Sequence, residues 1–153
     1  MKMENKIKIR LRFVIIKHNK LLAYYTKDDD FYFYIGGKLE YGETIEEGWK
    51  REIKEELGEE VIFTFKKILY VRDYIVKENN EHSLELFILG DIDKFEEIEG
   101  RPDPEFNGRK WPTWLDLNNL PDNLFPKPLS KRLFRDYKAG FPKEGEYVGR
   151  MDS

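Results

Sequence analysis

The sequence predicts an α/β (α+β) fold in which strands precede and follow one helix, and a second helix comes late in the chain. Three observations support this fold class: basic and apolar residues alternate over Lys6–Phe13, a helix start signal lies at Thr44, and β-prone runs flank that helix. The chain has 153 residues, of which 40% are hydrophobic and 37% charged, so we expect a single globular domain over residues 1–153.

The first part of the chain has the pattern of three strands. The alternation over Lys6–Phe13 is typical of a strand with one face on a core and one face in water. His18–Lys20 is a predicted turn into a second strand at Leu21–Thr26, so the two strands form a hairpin. Phe31–Ile35 is the third β-prone run, and it ends at the glycine pair Gly36–Gly37.

The first helix is predicted from both of its ends. Thr44 and Glu47 form a capping box, in which the side chain of each residue bonds the backbone amide of the other. Gly58 is the residue that follows the helix. Between these ends an apolar side chain recurs every four residues and forms one stripe, which consists of Ile45, Trp49, Ile53 and Leu57.

The second half of the chain is predicted to return to strands and then to a helix. Val61–Val76 and Ser83–Asp91 are strand-like and are separated by a turn at Asn79–Asn80, and Trp111–Leu117 is expected to be the last strand. We interpret Gly100–Gly108 as a loop that acts as a lid or rim. The second helix takes its apolar face from Leu129, Leu133, Phe134 and Tyr137. The tail from about residue 140 is expected to be irregular and frayed.

Charge and composition exclude several classes of protein. The formal net charge of −3 argues against nonspecific nucleic-acid binding, and no signal peptide or membrane span is predicted. The chain contains no cysteine, which excludes disulfides and thiolate metal sites and is compatible with a reducing compartment. We expect a cytoplasmic protein that binds neither a membrane nor a stable nucleic-acid complex; the sequence is compatible with a homodimer.

The charges are unevenly distributed along the chain. The first 20 residues carry seven basic side chains and one acid, whereas Lys38–Glu60 carries nine acids and four bases. On the predicted helix, Glu52, Glu55 and Glu56 lie within about 100° of one another. Like charges at these spacings repel, so the cluster favours a compensating cation, and Mg²⁺ and Mn²⁺ prefer oxygen ligands. The alternative is a solvated acidic face.

A wider pattern surrounds these glutamates. Its fixed positions are Gly37, Glu43, Arg51, Glu52, Glu55, Glu56 and Gly58. The segment Gly37–Glu59 resembles the Nudix box, the signature of the Nudix hydrolases, and all fixed Gly, Arg and Glu positions of that signature match. The segment departs from the signature at two places: Ile35 stands where many members have proline before the glycine pair, and Glu59 occupies the final apolar position.

The resemblance implies a Nudix-like α/β/α sandwich around a mixed β-sheet, and hydrolysis of a nucleoside diphosphate linked to another moiety with Mg²⁺ or Mn²⁺. It implies metal ligands at Glu52, Glu55, Glu56 and the Gly37 carbonyl. It further implies that Glu52, Glu55 and Arg51 take part in catalysis, with Glu52 as the base. Arg51 would orient the glutamates through ion pairs. Glu43 would organise the loop. Another of these carboxylates, or a downstream glutamate, is the alternative base.

Candidates outside these glutamates come from three sets of residues. Phosphate contacts are expected from Lys38, Arg10 and Arg12, the alternative being a wet strand face. An extra ligand or base could come from the acidic loop residues Glu96, Glu97 and Glu99, the alternative being solvation. A base could stack on Tyr32, Tyr34, Tyr74 or Trp111, of which we single out none.

Several functions are compatible with the sequence. The leading hypothesis is metal-dependent pyrophosphate hydrolysis of a small nucleotide-like substrate, mildly favouring nucleoside triphosphates. Nucleotide sugars and dinucleotides are the alternative substrates. A catalytically silent nucleotide-binding module is a different class, but such a module could afford to lose the three glutamates that this chain retains. The third alternative is a purely structural acidic helix in an unrelated α+β protein.

Overall fold

The computed structural model describes residues 5–98 and 108–152 of the chain. In chain order, its strands and α-helices are β1 (Lys8–Lys17), β2 (Lys20–Thr26), β3 (Phe31–Phe33), β4 (Gly36–Lys38), α1 (Ile45–Leu57), β5 (Phe63–Val76), β6 (Glu81–Ile92), β7 (Lys110–Asp116), β8 (Leu124–Phe125), α2 (Lys127–Lys138) and β9 (Glu146–Gly149). Glu99 and residues 100–107 of the predicted lid lie outside the described residues, and within the described ranges no helix is long and apolar enough to span a bilayer.

Strand β1 is the centre of a mixed sheet. It runs parallel to β6 from Lys8 to Ile15, and antiparallel to β4 and to β2. Across the described residues the order of the sheet is β8-β3-β2-β1-β6-β5-β9, with β4 added on β1 and β7 on β2. Because β4 pairs with β1 over Arg10–Arg12, the glycine pair at residues 36 and 37 lies beside the basic residues of β1.

Two hydrophobic clusters cover opposite faces of this sheet. Successive side chains of a strand point to opposite faces, and in β1 Leu11 and Phe13 join one cluster while Val14 joins the other. The first cluster packs against Ile53 of α1, and the second against Leu133 of α2. The helices therefore sandwich the sheet, which confirms the predicted α/β/α arrangement.

Helix α1 forms as its sequence predicts. The Thr44 side chain accepts a hydrogen bond from the Glu47 amide, the Glu47 side chain accepts one from the Thr44 amide, and Gly58 follows the helix with φ +121°. Gly48 lies in the helix interior, and a Cβ there would come within 2.5 Å of Leu39 Cδ1 and 3.0 Å of Leu11 Cδ1. The glycine thus allows α1 to approach the sheet closely.

Two predictions for the end of the chain are wrong. Trp111–Leu117 corresponds to β7, but β8 and β9 follow it, so it is not the last strand. The tail from about residue 140 is not irregular throughout, because Glu146–Gly149 pairs in parallel with Tyr70–Arg72 of β5. β4 also escaped prediction. β4, β8 and β9 have two to four residues each, which is too few for a periodic pattern. Their hydrogen bonds come from pairing with β1, β3 and β5.

Candidate active site

Arg51 connects the acidic residues of α1 to the loop before it. Its Nε and Nη2 atoms donate to the two carboxylate oxygens of Glu43 at 2.6 and 2.9 Å. Its Nη1 atom donates to Glu52 at 2.7 Å and to Glu55 at 3.3 Å, and Nη2 also donates to the Lys38 carbonyl at 2.9 Å. A planar guanidinium can make this set of bonds because its donors point in several fixed directions.

Glu43 is ionised and held in place by these contacts. The hydrogen bonds from Arg51 and from the Glu40 amide lower the pKa of its carboxyl group to about 2. The negatively charged Glu43 therefore pairs with Arg51, and this ion pair joins the loop before α1 to the helix.

Glu52 is buried and lies against the glycine pair. The residue is 5% exposed, and a Cβ built on Gly37 would come within 2.5 Å of both Glu52 carboxylate oxygens. Burial raises the pKa of Glu52, while the bond from Arg51 and the charge of Arg12 oppose this rise. A side chain at position 37 would displace the Glu52 carboxylate, so the glycine allows this carboxylate to lie against the β4 backbone.

The other two glutamates of the cluster differ in environment. The Glu55 side chain is 56% exposed and contacts Arg51, whereas Glu56 lines a large cavity. No three Asp, Glu, His or Cys side chains in residues 5–98 and 108–152 converge as a metal cluster. Of the three helix glutamates, Glu52 and Glu55 accept hydrogen bonds from Arg51, which offsets part of their mutual repulsion. The donor chemistry fits a hard divalent cation, because three carboxylates follow one another along the last turns of α1 and the Gly37 backbone lies beside the carboxylate of Glu52.

The cavity beside Glu56 has a volume of about 890 Å³ and is lined by both charged and aromatic side chains. Its basic residues are Arg10, Arg12, Arg72, Lys110 and Lys127, and its acidic residues are Glu56, Glu85 and Asp152. Its aromatic residues are Tyr24, Phe31, Phe33, Tyr34, Tyr74, Phe87 and Phe125. A cavity lined by several basic side chains and many aromatic rings suits a polyanion that carries a planar group.

Arg12 and Arg72 share one buried carboxylate in the cavity wall. Arg12 Nε and Arg72 Nη1 donate to opposite oxygens of Glu85 at 2.9 and 2.6 Å, and Glu85 is 4% exposed. Arg10 instead bonds Glu81 and Ser83. The guanidinium groups are thus held in place on the cavity wall before any ligand binds.

The structure brings some of the predicted substrate contacts to the cavity and leaves others outside. Arg10, Arg12, Tyr34 and Tyr74 line it, but Lys38, Tyr32 and Trp111 do not. Lys38 contributes its carbonyl to Arg51 and has an exposed side chain. Glu96 pairs with Lys17 at 3.3 Å, at the other end of β1 from Arg10, and Glu99 lies outside the described residues.

Comparison with known proteins identifies the class of this chain. The model of the NUDIX domain family matches residues 10–133, which is most of the chain. The chain therefore belongs to the Nudix family and is a Nudix-type pyrophosphohydrolase. It is 32% identical over 127 residues to the ADP-ribose pyrophosphatase of Methanocaldococcus jannaschii, a match that spans 81% of this chain and 69% of that protein.

Solved structures confirm the fold. A MutT NUDIX hydrolase from Burkholderia pseudomallei superposes with a TM-score of 0.63 at 23% identity, over 85% of this chain and 97% of that one. An ADP-ribose pyrophosphatase from Streptococcus suis superposes with a TM-score of 0.63 at 20% identity, over 93% of this chain and 98% of that one. At these identities the likeness concerns the fold alone.

Proposed function

We propose that the chain hydrolyses the pyrophosphate bond of a nucleoside diphosphate linked to another moiety. The observation that carries this proposal is the position of the Glu52 carboxylate, which lies against Gly37 and is held by Arg51. The cavity with its basic residues adjoins this helix through Glu56. An anionic diphosphate placed there would contact both the glutamates and the arginines.

A divalent cation, with Mg²⁺ or Mn²⁺ as the candidates, would be held by Glu52, Glu55, Glu56 and the Gly37 carbonyl. When bound, it neutralises diphosphate charge and lowers the pKa of a water molecule. Arg51 orients Glu52 and Glu55, and Glu43 fixes Arg51. Each charged residue of the cluster would therefore either bind the cation or hold one of its ligands in place.

The reaction adds water across one phosphorus–oxygen bond. The water oxygen bonds to one phosphorus, the bridging bond breaks, and the departing phosphate keeps the electron pair. Glu52 takes the proton in this proposal. Its Oε1 atom already accepts from Arg51, so we assign the proton to Oε2. Arg10 and Arg12 would contact the phosphates of the substrate from the cavity wall.

The relative from Methanocaldococcus jannaschii favours a sugar-linked substrate. That relative is an ADP-ribose pyrophosphatase, and the 32% identity extends over 81% of this chain. We therefore place ADP-ribose and nucleotide sugars first among the substrates, ahead of the nucleoside triphosphates that are mildly favoured in the sequence analysis. A cytoplasmic location and a homodimer stay predictions from the sequence.

A substrate panel tests the proposal. ADP-ribose, nucleotide sugars and dinucleotides are incubated with Mg²⁺ or Mn²⁺ and alkaline phosphatase, which releases phosphate only from the cleaved products, and nucleoside triphosphates with inorganic pyrophosphatase. We expect phosphate release from at least one substrate, and a fall of about a hundredfold or more in Glu52→Gln and Glu56→Gln. Glu59→Gln alters an exposed glutamate just after α1 and is the matched control.

Two results would contradict the proposal. Turnover that survives in both Glu52→Gln and Glu56→Gln would remove these carboxylates from the reaction. Nucleotide binding without turnover across the whole panel would favour the silent module. A melting experiment with Mg²⁺ alone distinguishes a metal site from a purely structural acidic helix. Binding of Mg²⁺ to a site raises the melting temperature of the wild type, whereas an acidic face without a site gives no specific shift.

A further inference from the structure

The segment that follows β9, residues 150–152, lies along the cavity, which its last two residues line; we call it the strap. Two hydrogen bonds fix the strap to β5: Arg72 Nε donates to the Arg150 carbonyl at 2.7 Å, and Arg150 Nη2 donates to the Ile75 carbonyl at 3.1 Å. Met151 packs against the second hydrophobic cluster and has φ +54°, a left-handed conformation that a residue with a side chain seldom adopts. The strap is thus held in one bent position beside Arg72.

At the strap, a hydrogen-bond acceptor and a donor lie close together without bonding each other. Asp152 Oδ1 is 3.9 Å from Arg72 Nη2, which is too far for a hydrogen bond. The other atoms of both groups are engaged, since Asp152 Oδ2 pairs with Arg150 Nε at 2.8 Å, and Arg72 bonds the Arg150 carbonyl through Nε and Glu85 through Nη1. Both Arg72 and Asp152 line the cavity, so the pair offers one donor and one acceptor to a ligand.

The distance between these two atoms suits a hydroxyl group. A single oxygen about 2.8 Å from each of them can bridge the 3.9 Å gap. A hydroxyl group donates one hydrogen bond and accepts others, so it can donate to the Asp152 carboxylate and accept from the Arg72 guanidinium at the same time. An ionised phosphate oxygen only accepts. It would bond Arg72 but would be repelled by the negative charge of Asp152.

This donor and acceptor pair lies next to the expected phosphate contacts. Arg12, which would contact the phosphates, and Arg72 bond the two oxygens of one carboxylate, that of Glu85. A group joined directly to the diphosphate would therefore reach Arg72 and Asp152. In ADP-ribose and in nucleotide sugars that group is a sugar with several hydroxyls, whereas in a nucleoside triphosphate it is a third phosphate.

We propose that Arg72 and Asp152 bind a hydroxyl group of the sugar joined to the diphosphate, and that Asp152 disfavours a third phosphate in the same place. This inference rests on the proposed function for the identity of the ligand. It deepens that function by naming the residues that select sugar-linked diphosphates over nucleoside triphosphates. The strap supplies the selecting carboxylate, and β5 supplies the guanidinium group.

Binding of analogues that resist hydrolysis tests the proposal without turnover. The α,β-methylene analogues of ADP-ribose and ATP carry a carbon bridge in the bond that is expected to break, and their dissociation constants are measured by calorimetry with Mg²⁺. We expect the wild type to bind the ADP-ribose analogue more tightly. Asp152→Asn removes the charge and keeps the shape. It should weaken the ADP-ribose analogue and strengthen the ATP analogue, so that the ratio of the two constants changes by about fivefold or more.

The matched control is Asp91→Asn. The Asp91 side chain is 52% exposed, as is that of Asp152, and it pairs with Lys66 at 2.9 Å, outside the cavity. Both variants change the net charge by one, so a selective effect of position should appear only in Asp152→Asn. Thermal melts verify that each variant is folded, and Asp152→Ser replaces Asp152→Asn if the latter fails.

Three results would overturn the proposal: a ratio that is unchanged in Asp152→Asn, an equal change of the ratio in Asp91→Asn, or a wild type that binds the ATP analogue as tightly as the ADP-ribose analogue. The substrate panel separates this inference from the proposed function. A changed ratio in a protein that hydrolyses nothing on the panel would support the pair and refute only the proposed function. Turnover together with an unchanged ratio would refute only the pair.

Discussion

Arg51 has the largest set of charged contacts in the candidate active site. It bonds the carboxylates of Glu43, Glu52 and Glu55 and one backbone carbonyl, and its side chain is 22% exposed. Its carboxylate partners raise the pKa of the guanidinium group even further above its ordinary value. The ammonium group of a lysine could not replace this guanidinium group, because the carboxylates lie in different directions around it.

We predict that Arg51→Lys lowers both stability and activity. Lysine keeps the charge but loses most of the hydrogen bonds to charged partners, so the free energy of unfolding should fall by about 2 kcal/mol. Urea unfolding measures the loss, and the substrate assay measures activity. Arg109→Lys is the control, since Arg109 is 67% exposed and pairs with Asp28 at 3.6 Å; its loss should stay below about 0.5 kcal/mol. Equal losses in the two variants would contradict the prediction.

At the scale of elements, charged side chains join the parallel pair β1 and β6. Glu81, at the start of β6, accepts from Arg10 Nη2 at 2.8 Å and from Lys8 Nζ at 3.1 Å. Burial raises the pKa of Glu81, but hydrogen bonds from Ser83, Arg10 and Lys8 outweigh it and lower the pKa from 4.5 to about 2. The contacts add side-chain links to a strand pair that is already joined by its backbone.

This pKa shift predicts an acid-dependent loss of stability. Because the folded-state pKa lies below 4.5, the Glu81 contribution is complete above about pH 4.5 and is lost as the pH falls toward 2. Urea unfolding between pH 7 and pH 3 should therefore show a steeper decline in the wild type than in Glu81→Gln, by about 1 to 2 kcal/mol. The exposed Glu78 provides a control in Glu78→Gln, which should follow the wild type. Parallel curves for wild type and Glu81→Gln would refute the assignment.

At the scale of the whole molecule, Arg72 connects strands that are far apart in the chain. It bonds Glu85 of β6 and the Arg150 carbonyl after β9, and Glu85 in turn bonds Arg12 of β1. Both Arg72 and Glu85 are buried, with side chains that are 8% and 6% exposed. A buried charge that loses its partner is costly, so these residues depend on one another.

We predict that Arg72→Met destabilises the protein by about 3 kcal/mol, because Glu85 then loses one of the two arginines that bond it. The double variant Arg72→Met/Glu85→Leu should lose less than the sum of the two single variants, since it removes both members of the pair. A double-mutant cycle from urea unfolding measures this coupling. Strict additivity would show that the two residues do not depend on each other.

Local patterns in the sequence predicted α1 and its glutamates well. The capping box at Thr44, the apolar stripe and Gly58 are all within one segment, and the segment contains its own start and stop signals. The β1–β2 hairpin was predicted for the same reason, because His18 and Asn19 supply the turn with positive φ angles. β8 and β9 escaped prediction because the strands that pair with them are distant in the chain.

The sequence by itself determined the fold class, the carboxylate helix and the family signature, because each depends on residues close together in the chain. Only the tertiary structure revealed the cavity and the residues that complete it. Arg72 meets Arg12 through Glu85, and Phe31 meets Phe125, only after the strands have paired. A spacing along the chain does not encode such distances. Sheet topology sets them, because it brings residues that are separated in the sequence to the same wall of the cavity.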